Sequence, residues 1–239
     1  MQYIEKSALP PEEWEVWFTK GNGNMSYDYS SDAGSLMNLS KAKQFLLKEQ
    51  NGLCAYCQRT LTSEQASIEH FIPKSFNVNL STVYHNLLAV CKNSLGKDTA
   101  NRAHCDVERG NKLLPPIVFY KNAEVTDSNN HAYFDVGSDG VIRVSPSLKK
   151  HSFDSSKNQI AQQIQAFIEI LNLNHTDLVE KRRDDVLKGI MDAFRIIKAN
   201  NKHDARPFLE NKRNMLLNDK KAPFRQFLLI YISRQLGVN

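Results

Sequence analysis

Cys54 and Cys57 form a C-x-x-C pair, Cys91 and Cys105 follow, and all four cysteines fall within 52 of the 239 residues. Two thiolates at that spacing can grip one ion from a single turn, and Zn²⁺ takes four such ligands in a tetrahedron. Four cysteines are too few for a disulfide scaffold in a chain this long, so their clustering points to a metal in a reducing compartment. A zinc ribbon usually carries a second C-x-x-C. Here thirteen residues, Lys92 to His104, separate the second pair, and His104, an alternative to Cys105 as the fourth ligand, reads as pointing elsewhere. A small module of short strands needs such a staple to hold its shape.

Between the two pairs runs Ala66-Ser-Ile-Glu-His-Phe-Ile-Pro-Lys74, an apolar-alternating stretch that ends in Glu69-His70 and is stopped by Pro73. Asn86 follows in Tyr84-His-Asn-Leu-Leu-Ala-Val-Cys91, and Cys105-Asp-Val-Glu-Arg-Gly-Asn-Lys112 opens a helix or turn. Each piece has a plain reading. Glu-His on a strand is commonly a satisfied polar pair, a lone asparagine is a turn or cap, and Asp106 after a cysteine can cap a helix. Their order inside the cysteine pairs gives them joint weight.

The elements that must hold these residues are legible from periodicity. Residues 9–20 predict a short helix after Pro10-Pro11, with Trp14, Trp17 and Phe18 on one apolar face. A glycine-rich polar linker over 21–40 leads to a helix from Lys41 to Gln50, capped by Ser40 and ended by Asn51-Gly52. Residues 131–145 predict a β-hairpin around Asp139-Gly140. Beyond about residue 154 the pattern is helical. Ile160, Ile164, Phe167, Ile168 and Leu171 share a face, as do Val186, Ile190, Met191, Phe194 and Ile197, and two further helices are expected near 203–217 and 222–236. The expected fold is α+β and predominantly helical: an N-terminal helical and linker segment (1–50), a metal-dependent module (51–121), then a hairpin and helical domain (122–239).

The composition is that of a globular chain, with 41% hydrophobic, 24% charged and 9% aromatic residues. Its longest apolar run, Phe227 to Ile232, is far short of the ~20 residues that cross a bilayer. No secretory pattern opens the chain, so a soluble cytoplasmic protein is expected. Charge is uneven: residues 1–40 carry −4, 41–121 carry +5 and 122–239 carry +4. The basic cysteine-bearing segment suits a polyanion. The cluster Lys181-Arg182-Arg183 reads as a solvated helix face.

Taken together, C-x-x-C, Glu-His with Pro three residues on, Asn-Leu-Leu-x-x-Cys and Cys-Asp-x-x-Arg-Gly-Asn-Lys resemble the HNH endonuclease family over about residues 51–116. Within it they are most similar to the PtuB subfamily of Septu and retron-associated anti-phage systems. The resemblance implies a zinc-stapled ββα-metal module with N-terminal helices and a helical C-terminal domain. It implies a metal-dependent endonuclease that hydrolyses nucleic-acid phosphodiesters. His70 would be the general base and Asn86 its orienting group, with Glu69 and Asp106 binding a catalytic Mg²⁺ or Mn²⁺. Lys74, Arg109 and Lys112 would contact the nucleic-acid backbone. Cys54, Cys57, Cys91 and Cys105 would hold the structural zinc. A PtuA-like ATPase is the implied partner, within a complex of reverse transcriptase and msDNA in retron-associated members. Asp106 stands where the family has His or Asn, so Asn111 is an alternative ligand, and His85 reads as an exposed loop residue. Two other readings stay open: a zinc-stabilised nucleic-acid-binding module without catalysis, and an adaptor whose helices recruit another protein.

Overall fold

The computed structural model describes residues 4, 6–18, 39–92, 103–115, 133–149, 155–199 and 205–237. Most of the expected linker at 21–40, and of the insert between Cys91 and Cys105, lies outside them.

The first helix is shorter than its apolar pattern suggested. Helix α1 spans Trp14–Phe18 and buries Trp14 and Phe18. The Trp14 ring packs against Phe45 and Tyr84, and its Nε1 donates to the Thr82 carbonyl at 2.9 Å. Helix α2, Leu39–Glu49, begins before Ser40, so that residue lies inside the helix and not at its cap. Its end follows the Asn51-Gly52 signal. Asn51 (φ 57°) and Gly52 (φ 76°) turn left-handed, and their amides donate to Lys48 O and Leu47 O, a Schellman closure.

Strand β1 (Ala66–His70) stops before Pro73 as expected and pairs antiparallel with β2 (Leu87–Cys91), in the register Ala66↔Cys91 and His70↔Leu87. Every residue of β2 is buried, which explains its unbroken apolar run. Gln50 docks α2 onto this strand: its side chain accepts from Ala89 N at 2.8 Å and donates to Ala89 O at 2.7 Å. A four-residue helix, α3 (Asp106–Arg109), follows the last cysteine.

The second sheet is the expected hairpin, β3 (Phe134–Val136) with β4 (Ile142–Val144). Gly140 (φ 78°) is required there, since a Cβ would lie 2.6 Å from the Val179 carbonyl. Helices then dominate: α4 (Pro146–Lys149), α5 (Ser155–Ile170), α6 (Thr176–Lys181), a π-helical stretch (Arg182–Leu187), α7 (Lys188–Ala199), α8 (Arg206–Asn218) and α9 (Arg225–Leu236). Ile164, Phe167, Ile168 and Leu171 are buried from the first expected stripe, and Ile190 from the second. Helix α9 buries Phe227 through Ile232 and packs on α8 and β3 as the central helix of this region. Among the described residues the fold is thus predominantly helical with two small antiparallel sheets. Among the described residues no helix is long and apolar enough to cross a membrane.

Candidate metal centre

Local geometry builds the first half of the centre. After the Schellman turn, residues 53–60 fold into a tight knuckle in which Cys54 N donates to Arg59 O, and Gln58 turns left-handed (φ 62°). This brings Cys54 and Cys57 to one side, while Cys91 arrives from the end of β2 and Cys105 from the start of α3. Their four ligand atoms lie within 4.8 Å of one another, and all four residues are buried. Cys54 Sγ and Cys57 Sγ stand 3.8 and 3.9 Å from Cys91 Sγ. Disulfides require ~2.05 Å, whereas a zinc tetrahedron with bonds of ~2.3 Å has edges of about 3.8 Å. The donor set therefore fits a four-thiolate structural metal.

Thiol chemistry points the same way. Burial opposes ionisation of Cys54, but hydrogen bonds from the Cys105, Cys57 and Cys91 thiols hold it well below the usual thiol range. Burial pushes Cys105 the other way, well above it. His104 does not replace Cys105 among the four. Its Nδ1 lies 3.2 Å from Cys105 Sγ and 3.8 Å from Cys91 Sγ, where an Nδ1–H tautomer supports a thiolate from outside. Burial holds this imidazole neutral, its pKa lowered to about 4.

The helical tail closes over the centre. Cys105 N donates to Leu171 O, and Phe224 N donates to Gln58 O in the knuckle. Arg182, read from sequence as part of a solvated face, is instead 1% exposed. Its guanidinium donates to Gly140 O and Leu173 O; burial lowers its pKa to about 10, and the Cys57 and Cys105 thiols oppose that shift by favouring its charge. Its Nη1 has no hydrogen-bond partner among the described residues. A four-thiolate divalent site carries a net charge near −2, and this buried cation offsets part of it. The neighbouring Lys181 and Arg183, both exposed, hid that role in the sequence.

The residues expected to form a second, catalytic centre are brought near one another but are committed elsewhere. Glu69 Oε1 accepts from Tyr56 Oη at 3.1 Å and forms an ion pair with Arg109. Arg109 is 1% exposed; it also donates to the carbonyls of His70 (2.9 Å), Phe71 (2.5 Å) and Lys112 (2.9 Å). His70 Nε2 is 2.9 Å from Ser81 O, and burial lowers this imidazole below its usual pKa. Asn86 accepts from Ile72 N and donates to Ile72 O and Leu80 O, pinning the loop between the strands. Asp106 is half-buried beside Glu69; Asn111 is exposed, as is Lys112, which pairs with Glu108 at 3.9 Å. Lys74 is half-buried, and His85 Nε2 is 3.2 Å from Ser7 O.

This arrangement corrects the catalytic expectation. Among the described residues, the four cysteines are the group of three or more His, Cys, Asp or Glu side chains that converges on a metal-sized space. The expected Glu69–Asp106 centre for Mg²⁺ or Mn²⁺, with His70 as base, does not form such a group. The endonuclease and hydrolase readings built on it fall with it. The physical reason is the Arg109 guanidinium, which occupies the charged side of Glu69 and pulls it into an internal network.

Burial first, and then the charge of Asp106, raise Glu69 to a pKa of about 8 against the opposing pull of Arg109. A carboxyl raised in the folded state contributes stability that is fully present below its ordinary value near 4.5 and is lost as pH rises through about 8. Urea midpoints of metal-loaded protein are expected to fall between pH 6 and 8 and to level off above that, and Glu69→Gln to flatten that fall. A wild-type profile as flat as the variant's would refute the assignment.

Comparison with known proteins adds a distant, partial relationship. The chain is 32% identical over 75 residues to the Septu protein PtuB of Bacillus thuringiensis. The match covers 30% of this chain and 29% of that relative's length, so it supports kinship with that broad family over one segment. No family model matches the chain.

Proposed function

We propose that the chain is a non-catalytic, zinc-stapled module that binds nucleic-acid backbones, serving within a Septu-type defence assembly. The observation that carries the reading is the buried four-cysteine cluster at zinc-tetrahedron spacing, beside a β1 whose ionisable groups are consumed internally. In this reading the two strands and α3 would serve as a ββα-like framework around the metal. The parts at 1–50 and 122–239 would pack on the zinc-stapled part at 51–121, in a reducing, cytoplasmic compartment that keeps the thiols available to the metal. Partial kinship with a Septu protein supports the assembly, with a PtuA-like ATPase as the partner the motifs imply.

The polyanion surface follows from charge. Segment 41–121 carries +5, and Lys43, held low by burial and by the nearby Lys92, marks lysines of one sign set side by side. Lys92 and Lys112 are exposed, so they can meet phosphates, with Lys74 adding a half-buried contact. Arg109 is a framework residue in this reading.

Fluorescence anisotropy with labelled duplex DNA and structured RNA, in Mg²⁺ and across a NaCl series, tests it. Binding is expected to weaken steeply with salt, the polymer to be recovered intact, and the double reversal Lys92→Glu, Lys112→Glu to weaken binding about tenfold whatever the base sequence. Binding without a salt slope would defeat the interface. Metal-dependent cutting abolished by His70→Ala would defeat the non-catalytic reading.

A further inference from the structure

The C-terminal helices enclose a feature that the zinc module does not use. An open cavity of about 440 Å³ lies between α7, α8 and α9, with Ile190, Ala193, Phe208, Met215 and Leu228 among its lining. Its walls are mostly apolar, with Asn211 and Lys212 beside them, and Met215 on α8 is 57% exposed. Such a surface costs free energy unless something covers it.

Gly189 is a second, independent indication. It lines the cavity from within a helical run that extends through α6, the π-helical stretch and α7. A glycine inside a helix costs about 1 kcal/mol relative to alanine. Folding does not require it here: its backbone is not left-handed, and a Cβ at this position would meet nothing within 4 Å. This exposed glycine therefore keeps one wall of the groove low with no demand from its own fold, as expected where a foreign backbone approaches closely.

Charge selects the occupant. Residues 188–237 hold eleven basic and four acidic side chains, a net +7. Lys212 stands on the groove wall without an ion-pair partner among the described residues, and Lys188, Lys220 and Lys221 are exposed. A nucleic-acid backbone has no apolar face to fill such a lining. A helix with an apolar stripe and acidic flanks matches both the lining and the charge. We propose that the α7–α8–α9 groove is a docking site for an acidic amphipathic helix of a partner protein. This site is separate from the polyanion surface of the zinc module, and neither reading depends on the other.

The test uses full-length, metal-loaded protein and a displayed pool of helical peptides randomised on face and flanks, selected for binding. Gly189→Leu adds bulk to the groove wall at a position where a Cβ meets no protein atom, so its thermal midpoint should match or exceed that of wild type. Selection is expected to enrich helices with an apolar stripe and flanking Asp or Glu. Their affinity should fall at least tenfold in Gly189→Leu, and Lys212→Glu should weaken them while favouring Lys-flanked analogues. A pool that enriches nothing, enriches basic or non-helical peptides, or yields binders indifferent to Gly189→Leu would overturn the proposal. Loss of enrichment only in the presence of nucleic acid would also overturn it, since the groove would then belong to the polyanion surface.

Discussion

Replacing Cys91 with serine is expected to cost the protein its metal and its tertiary structure around the zinc module together. Cys91 ends β2, and its sulfur stands 3.8 and 3.9 Å from those of Cys54 and Cys57, so losing it removes one corner of the tetrahedron and detaches the sheet from the knuckle. Binding free energy at a structural zinc site, on the order of 10 kcal/mol or more, is folding free energy, and it is as large as the typical stability of a whole domain. The damage should reach the helical tail, because Cys105 N is bonded to Leu171 O and the knuckle residue Gln58 to Phe224 N. Cys54→Ser should behave alike. His104→Gln, which alters a neighbour of the sulfurs, should retain one zinc per chain. Metal content, near-UV circular dichroism and thermal midpoints measure this together. A Cys91→Ser protein with normal zinc and an unchanged midpoint would rule the site out.

Arg109→Ala is expected to lower stability by about 3–5 kcal/mol, the range seen when one partner of a buried charged network is removed. The guanidinium satisfies three backbone carbonyls, those of His70, Phe71 and Lys112, besides Glu69 and Tyr56. Each buried acceptor left unsatisfied costs roughly 1–3 kcal/mol, so the loss is spread over several groups. Removing the cation also removes what opposes the upward shift of Glu69, so that carboxyl should titrate above about 8 in the variant. Arg109→Lys should recover only part of the loss, since an ammonium cannot reach carbonyls on both sides of the fork. Urea denaturation of the metal-loaded variants measures this, and a loss under about 1 kcal/mol would show that the network is incidental.

Much of the framework was legible because its signals are local. The hairpin around Asp139-Gly140, the strand ending at His70, the stop at Asn51-Gly52 and the amphipathic stripes all depend on residues within a few positions of one another. The four-thiolate group was legible too, because so few residue types bind zinc that their clustering along the chain is informative. Arg109 was misjudged for the opposite reason. Its partner Glu69 lies 40 residues away, and nothing in the sequence distinguishes an arginine that meets phosphate from one that folds inward. The same holds for Glu69, His70 and Asn86. Their order along the chain resembles a catalytic set, while Glu69 Oε1 is held by Arg109, His70 Nε2 faces Ser81 O, and the Asn86 amide pins the loop at Ile72 and Leu80.

Residue types and spacing alone therefore settled the helical character of the chain, the strand and hairpin positions, and the presence of four candidate metal ligands. These depend on backbone conformation and on chemistry that travels with the residue. Folding in three dimensions decided the rest. It chose Cys105 over His104, buried Arg182 beside the thiolates, turned Arg109 from the surface to the interior and left Gly189 facing open space. Those outcomes turn on which side chains meet across distant segments, where burial and a neighbouring charge assign a polar group its partner.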